Sequence, residues 1–233
     1  MIRGDYASAV CVLPAQFAIL AGRGFRCATA TMPLLVRHAE AKIVRLQLRQ
    51  NLVLKTMTTE QWDEFEPLLD ISDYAKGALL ENQGDSSMQQ YFIVDGILKR
   101  VVSTSSGKEM ILRFAAETDI DTSYAAWRLK TPIPYAIRAV TRSRTARLDM
   151  EDWVGFMSRH PPVKERFELE VMKLMSEVMA HTITLHLLDA PGRVARFLRK
   201  HTELVERLPK KELASYLNLS PETLSRLKKC GKI

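Results

Sequence analysis

Residues 213–229 read LASYLNLSPETLSRLKK, two short amphipathic segments that meet at Asn218-Leu219-Ser220. Leu213, Ala214 and Leu217 lay an apolar stripe along a first helix, Leu224 and Leu227 lay one along a second, and both can close on Leu219. Ala214 is small where the helices would cross. Asn218 stands where the chain must turn sharply, and asparagine enters the left-handed region more readily than most residues. Ser220 has the chemistry of an N-cap, and Pro221 at the first helical position brings a preset φ and no orphan donor. With its apolar side committed, the second helix presents Glu222, Thr223, Ser225, Arg226 and Lys229 outward near its start. Arginine can donate twice to guanine, glutamate can accept from the cytosine amino group, and Ser or Thr can contact bases or phosphates. The pattern is a helix-turn-helix whose second helix is a recognition helix, with Ser220 at its head. A surface hairpin with a solvated polar face accounts less well for so many positions fitting together.

Charge points the same way. The chain carries +7 overall, and Lys/Arg outnumber Asp/Glu by 11 to 4 in residues 190–233 while balancing 23 to 23 in residues 1–189. An ordinary surface mixes its signs, whereas a localised basic block is the footprint of phosphate binding. The block includes Arg193, Arg196, Arg199, Lys200, Arg207, Lys210, Lys211, Lys228 and Lys229. Lys210 and Lys211 are expected on DNA, and Arg199 and Lys200 in solvent.

A chain of 233 residues with 46% hydrophobic content can bury two modest cores. Cys11, Cys27 and Cys230 are too few and dispersed for a thiolate-bound metal site, and read as free thiols of a reducing cytosol. The expected location is therefore cytoplasmic. The apolar stretch YASAVCVLPAQFAILAG is interrupted by Pro14 and Gln16, preceded by Asp5 and shorter than a membrane span. A weak signal peptide is the alternative. It reads better as a peripheral extension, or as sequence upstream of a true start at Met32, and no membrane partner is expected.

The middle of the chain has another grammar. Trp62, Phe65, Leu68 and Leu69 recur at helical spacing, after which Gly77, Gly84 and Gly96 punctuate runs such as YFIVDGILKRVVS and EMILRFAA. These runs read as antiparallel strands. DGILK reads as a hairpin corner, and SSGKE around Gly107 as another. With YAIRAV and RTARLDM they form a β-roll over about residues 72–150. A long helix, Pro162 to Leu188, then carries Phe167, Val171, Leu174, Val178, His181, Leu185 and Leu188 in steps of four and three, a heptad signature. Met172, Met175 and Met179 fill a neighbouring face. One face can pack on the roll and the other on a twin, and the heptad positions Phe167 to Leu185 are expected at a homodimer seam. A two-fold dimer would set two recognition helices one DNA turn apart.

This order resembles the Crp/Fnr superfamily of bacterial transcription regulators, over about residues 50–233. The carrying motifs are KGALLENQGDSSMQQYFIVDGILK, similar to the family's cyclic-nucleotide-binding roll, and LASYLNLSPETLSRL, similar to its DNA-binding helices. The resemblance implies an α+β fold. Its parts are an extension (1–45), a cyclic-nucleotide-binding-like β-roll or jelly roll (46–160), a dimerisation helix (161–189) and a helix-turn-helix domain without a full wing (190–233). It implies double-stranded DNA, a second copy, RNA polymerase and an unknown small-molecule effector as partners, with no cofactor. The Glu-Thr-x-Ser-Arg run looks like the Fnr branch, which implies a TTGA-like half-site in inverted repeat.

Members that bind cyclic AMP carry Gly-Glu and Arg-Ser or Arg-Thr pairs in a late cassette of the roll. Here Asp121-Thr122 stands near the first pair and Ile133-Pro134 or Pro134-Tyr135 near the second, so the phosphate-binding arginine is missing. Asp121, Thr122, Ser123, Arg128 and Tyr135 are the candidate effector pocket, with cyclic AMP not the expected effector. Arg128 or Arg138 could stand in for the missing arginine from the side, although a solvated position is the default for both. All five histidines lie outside residues 72–150, which removes the usual ligands of a metalloenzyme roll, and no catalytic motif appears. His181 reads as an interface residue, with a pH or haem switch as an outside alternative. A regulator is the expected function; a sensory module with an inactive DNA-binding end is the alternative.

Overall fold

The computed structural model describes residues 42–107 and 109–229. The expectations about the N-terminal extension, Met32, the cysteines and a missing wing fall outside the described residues.

Helix α1 (42–48) leads through a 3-10 turn at Leu54–Thr56 to α2 (Thr59–Phe65). Thr58 and Gln61 start α2 reciprocally: each side chain accepts from the other's backbone N–H. The helix expected to run to Leu69 instead tightens into a 3-10 turn at Glu66–Leu68, because Pro67 has no N–H to continue the ladder.

Eight strands follow: β1 (Asp70–Tyr74), β2 (Leu79–Glu81), β3 (Gln89–Asp95), β4 (Leu98–Ser103), β5 (Glu109–Ala115), β6 (Ile120–Thr122), β7 (Ala136–Ala139) and β8 (Ser143–Asp149). Helix α3 (Tyr124–Leu129) interrupts them between β6 and β7. They form two four-stranded antiparallel sheets, β1-β8-β3-β6 and β2-β7-β4-β5. Tyr91 and Ile93 of β3 point between the sheets, against Leu98, Ala115, Ile137 and Ala139. Phe92 and Val94 point the other way, into a layer of helices. A strand buried on both faces reads as an unbroken apolar run, which is why YFIV lacks alternation.

One expected hairpin is absent. Asp95-Gly96 does not join paired strands: β3 and β4 lie in different sheets, and the chain crosses between them at Gly96 (φ 91°). A Cβ at Gly96 would overlap the Arg142 carbonyl and the Ser143 hydroxyl, so only glycine fits this corner. The second corner is a true hairpin between β4 and β5, where the Gly107 amide donates to the Thr104 carbonyl at 2.9 Å.

Helices α4 (Met150–Arg159) and α5 (Pro161–Leu187) complete the helical layer, in which Phe65 packs on Trp62, Phe92, Trp153 and Phe156. Helix α5 has 27 residues, about 40 Å at 1.5 Å per residue. Its expected seam is corrected here. Phe167 and Leu174 are buried within their own chain, Val171 packs on the same core, and Phe167 meets Tyr124 and Trp153 at 5.1 and 5.3 Å. Val178, His181 and Leu185 are half-buried on their own chain too. The uncovered stripe lies one position on: Met172, Met175, Met179, Ile183 and Leu187, exposed by 49% to 77%. Both stripes have helical spacing. The one flanked by aromatic partners on α3 and α4 turned inward.

Helices α6 (Ala190–Lys200), α7 (Lys210–Tyr216) and α8 (Pro221–Lys229) end the described chain. Their apolar side is continuous with the outer face of the second sheet, Ile97, Ile111, Phe114 and Val140 packing with Val194, Phe197, Leu213, Tyr216, Leu217, Leu224 and Leu227. Among the described residues no helix is long and apolar enough to cross a membrane.

Candidate functional site

The turn between α7 and α8 has the geometry its residues imply. Asn218 adopts φ 53°, the Leu219 amide donates to the Ala214 carbonyl at 2.9 Å, and Ala214 is wholly buried at the crossing. Ser220 Oγ accepts from the Thr223 amide at 3.1 Å and caps α8. Leu224 and Leu227 turn inward, leaving Glu222, Arg226 and Lys229 exposed and Thr223 and Ser225 half-exposed. Glu222 is ionised more readily than an ordinary glutamate, because its own backbone amide and the Ser220 hydroxyl hold its carboxyl low. Helix α8 thus offers an anionic acceptor and a cationic donor four residues apart, one helical turn. Lys210 and Lys211 are exposed at the start of α7.

Not all of the basic block faces outward. Arg207 pairs with Glu117 through both terminal nitrogens, at 2.7 and 2.5 Å, and Lys200 pairs with Glu177 at 3.2 Å. On α7, Glu212 takes a 2.7 Å ion pair from Lys99 of β4. These bridges, with Phe114 and Tyr216 at 5.0 Å, dock the helix-turn-helix on the roll. His181 stacks on Tyr216 at 3.7 Å and 3°. Burial, with the positive charges of His201, Lys200 and Arg196, pushes the imidazole down to about 4 despite the nearby Tyr216 backbone. His181 is therefore a neutral stacking partner of Tyr216 near neutral pH, which argues against a pH switch there.

Inside the roll, Asp121, Thr122 and Ser123 are buried and joined by two residues the sequence reading missed, Glu81 and Arg100. Arg100 Nε donates to Asp121 Oδ1 at 2.6 Å and Nη2 to the Thr122 carbonyl at 2.8 Å. The Tyr135 ring lies 4.4 Å from its guanidinium, with the hydroxyl donating to the same carbonyl at 2.7 Å. The Glu81 carboxylate accepts from the Ser123 hydroxyl at 2.7 Å and the Gln89 amide at 2.8 Å. Since β4 and β6 belong to different sheets, the Arg100–Asp121 pair ties the roll shut across its interior. Arg128 is exposed on α3 and makes none of these contacts, whereas Arg138, expected in solvent, is half-buried with Nε shielded. The missed signal was alternation: Arg100 shares a strand face with Leu98, the face that turns inward.

Burial pushes Glu81 up to about 7, partly offset by the Ser123 and Gln89 hydrogen bonds. Its folded pKa lies above its unfolded value, so folding favours the protonated acid. That contribution is fully present below pH 4.5 and is lost as pH rises through 7. Glu81→Gln, a mimic of the protonated acid, should match wild type in urea melts at pH 4.5. It should exceed it at pH 8 by up to about 3 kcal/mol. A pH-independent difference would show that the carboxyl titrates normally.

The architecture is a two-sheet β-roll whose second sheet carries a helix-turn-helix. The cyclic nucleotide-binding domain family matches residues 71–160. The cAMP-activated global transcriptional regulator CRP of Escherichia coli is 22% identical over 169 residues, covering 68% of this chain and 80% of that one. Similar solved folds include the c-di-GMP responsive global regulator CLP of Xanthomonas campestris, at TM-score 0.63 and 16% identity over 75% of this chain and 92% of that one. FixK2 of Bradyrhizobium japonicum has TM-score 0.59 and 19% identity, over 70% and 86%. In sequence the chain is similar to these regulators, and it shares their fold.

Proposed function

We propose that the protein is a homodimeric transcription regulator that binds an inverted-repeat operator through α8. The observation that carries this reading is the capped helix-turn-helix, with its left-handed Asn218 and the exposed pair Glu222 and Arg226. Thr223, Ser225, Lys229, Lys210 and Lys211 supply further base and phosphate contacts. The second copy packs on the Met172–Leu187 stripe, whose exposed apolar area is otherwise left to water. RNA polymerase is the partner through which binding would alter transcription.

Cyclic AMP is not its effector. The arginine inside the roll is already committed to Asp121 and the Thr122 carbonyl, so a cyclic phosphate would have to break a buried ion pair to reach it. The effector, if one enters Asp121–Ser123 and Tyr135, is of another class.

Selecting binding sites from random DNA with wild type and Arg226→Ala tests the reading. Wild type should recover an inverted repeat, unchanged by cyclic AMP. Arg226→Ala should lose about 1–3 kcal/mol and relax preference at one guanine, whereas Lys210→Ala with Lys211→Ala should weaken every sequence alike and flatten the salt dependence. Recovery of no sequence by wild type would favour a sensory module with an inactive DNA-binding end.

A further inference from the structure

Arg193 belongs to the basic block by sequence, yet its guanidinium is turned inward onto three backbone carbonyls. Nε donates to Leu188 O at 2.9 Å, and Nη1 to Leu217 O at 3.0 Å and Asn218 O at 3.4 Å. Leu188 is the C-terminal cap of α5, Leu217 is that of α7, and Asn218 is the left-handed residue of the turn. One planar cation thus gathers the partially negative ends of two helices, an arrangement favoured by both helix dipoles. Its own base is fixed. The Gly192 amide donates to the Asp189 carboxylate at 2.9 Å to cap α6, and a Cβ on Gly192 would crowd that carboxylate.

We propose that Arg193 is a positioning residue that sets the angle between α5 and the recognition helix α8, and is not a phosphate contact. The inference rests on the DNA-binding reading above and deepens it. In a dimer paired along α5, the direction of α8 relative to α5 decides how far apart the two recognition helices stand. Arg193 therefore governs which half-site spacing the dimer accepts, while Glu222 and Arg226 govern which bases it reads. Lysine keeps the charge but lacks the rigid planar fork by which Nε and Nη1 hold Leu188 and Leu217 in a fixed relation.

The test compares wild type, Arg193→Lys and Arg193→Gln on operators whose half-sites are moved by one or two base pairs, over a range of salt. Arg193→Lys should keep the half-site preference and the salt slope, yet lose about tenfold of its affinity at the preferred spacing and most of its spacing discrimination. Spacing discrimination equal to wild type in both variants overturns the proposal. So does a salt slope reduced by about one in Arg193→Gln and restored in Arg193→Lys, which would mark a phosphate contact. If wild type selects no DNA, the functional reading fails by itself, and amide exchange decides the clamp. Faster exchange at Asn218 and Leu219 in Arg193→Lys, with an unchanged melting midpoint, supports it; unchanged exchange overturns it.

Discussion

Asp121→Ala will cost the fold about 3–5 kcal/mol, because it leaves the Arg100 guanidinium charged and unpaired in the middle of the roll. Arg100 is only 2% exposed and Asp121 not at all, so water cannot replace the lost carboxylate without opening the sheets. Tyr135 and the Thr122 carbonyl remain as partners, but neither carries a charge to balance the cation. Asp121 is itself under-satisfied: Oδ1 accepts from Arg100 and the Thr122 amide, while Oδ2 has no hydrogen bond among the described residues and meets Arg113 only at 3.9 Å. Desolvation of this pair is thus incompletely offset. Replacing both partners together, Arg100→Met with Asp121→Leu, should recover most of the loss, as apolar substitutes for buried ion pairs often do. Urea melts of the two single variants and the double variant measure the coupling. A loss below about 1 kcal/mol in Asp121→Ala would mean that the pair is hydrated and does not close the roll.

Met179→Asp with Ile183→Asp will turn the protein into a folded monomer that no longer holds an inverted repeat. Both side chains are at least half exposed in the single chain, so the substitutions leave its own core untouched. In the proposed dimer they would bury like charges against their symmetry mates, at several kcal/mol per desolvated pair. The contrasting variant, Leu174→Asp with Val178→Asp, should lower the melting temperature instead, since Leu174 is 4% exposed inside its own chain. Sedimentation and thermal melts separate the cases. If the first variant stays dimeric and the second becomes a stable monomer, the seam runs along the heptad positions after all.

That pair of variants also marks where the sequence stops being informative. The helix-turn-helix was legible residue by residue, because its determinants are local: a small crossing residue, a left-handed residue, a cap and a first-turn proline, Ala214 to Pro221, lie within eight positions and need no distant neighbour. Strands β3, β4, β5, β7 and β8 were legible for the same reason, since glycines and apolar runs are short-range signals, whereas β1 (DISDY), β2 (LLE) and β6 (IDT) are too short or too polar to show one. The long helix showed two apolar stripes but not which one faces home. Stripes one residue apart have the same period, and the choice falls to Tyr124 and Trp153, far away in the chain, which give Phe167 its partners. The corner at Gly96 read as a hairpin because both a hairpin and a sheet-to-sheet crossing need a positive φ; only the pairing of β3 with β8 and of β4 with β5 distinguishes them. Basic residues of the C-terminal block could be counted but not assigned, since a cation seeks whatever acceptor the fold brings near. Arg207 found Glu117, 90 positions earlier, and Arg193 found the Leu217 and Asn218 carbonyls, 24 and 25 positions later. Local conformation is decided by neighbours along the chain, and the sequence displays those; the partner of a buried charge or an apolar face is decided by packing, and packing exists only once the chain has closed on itself.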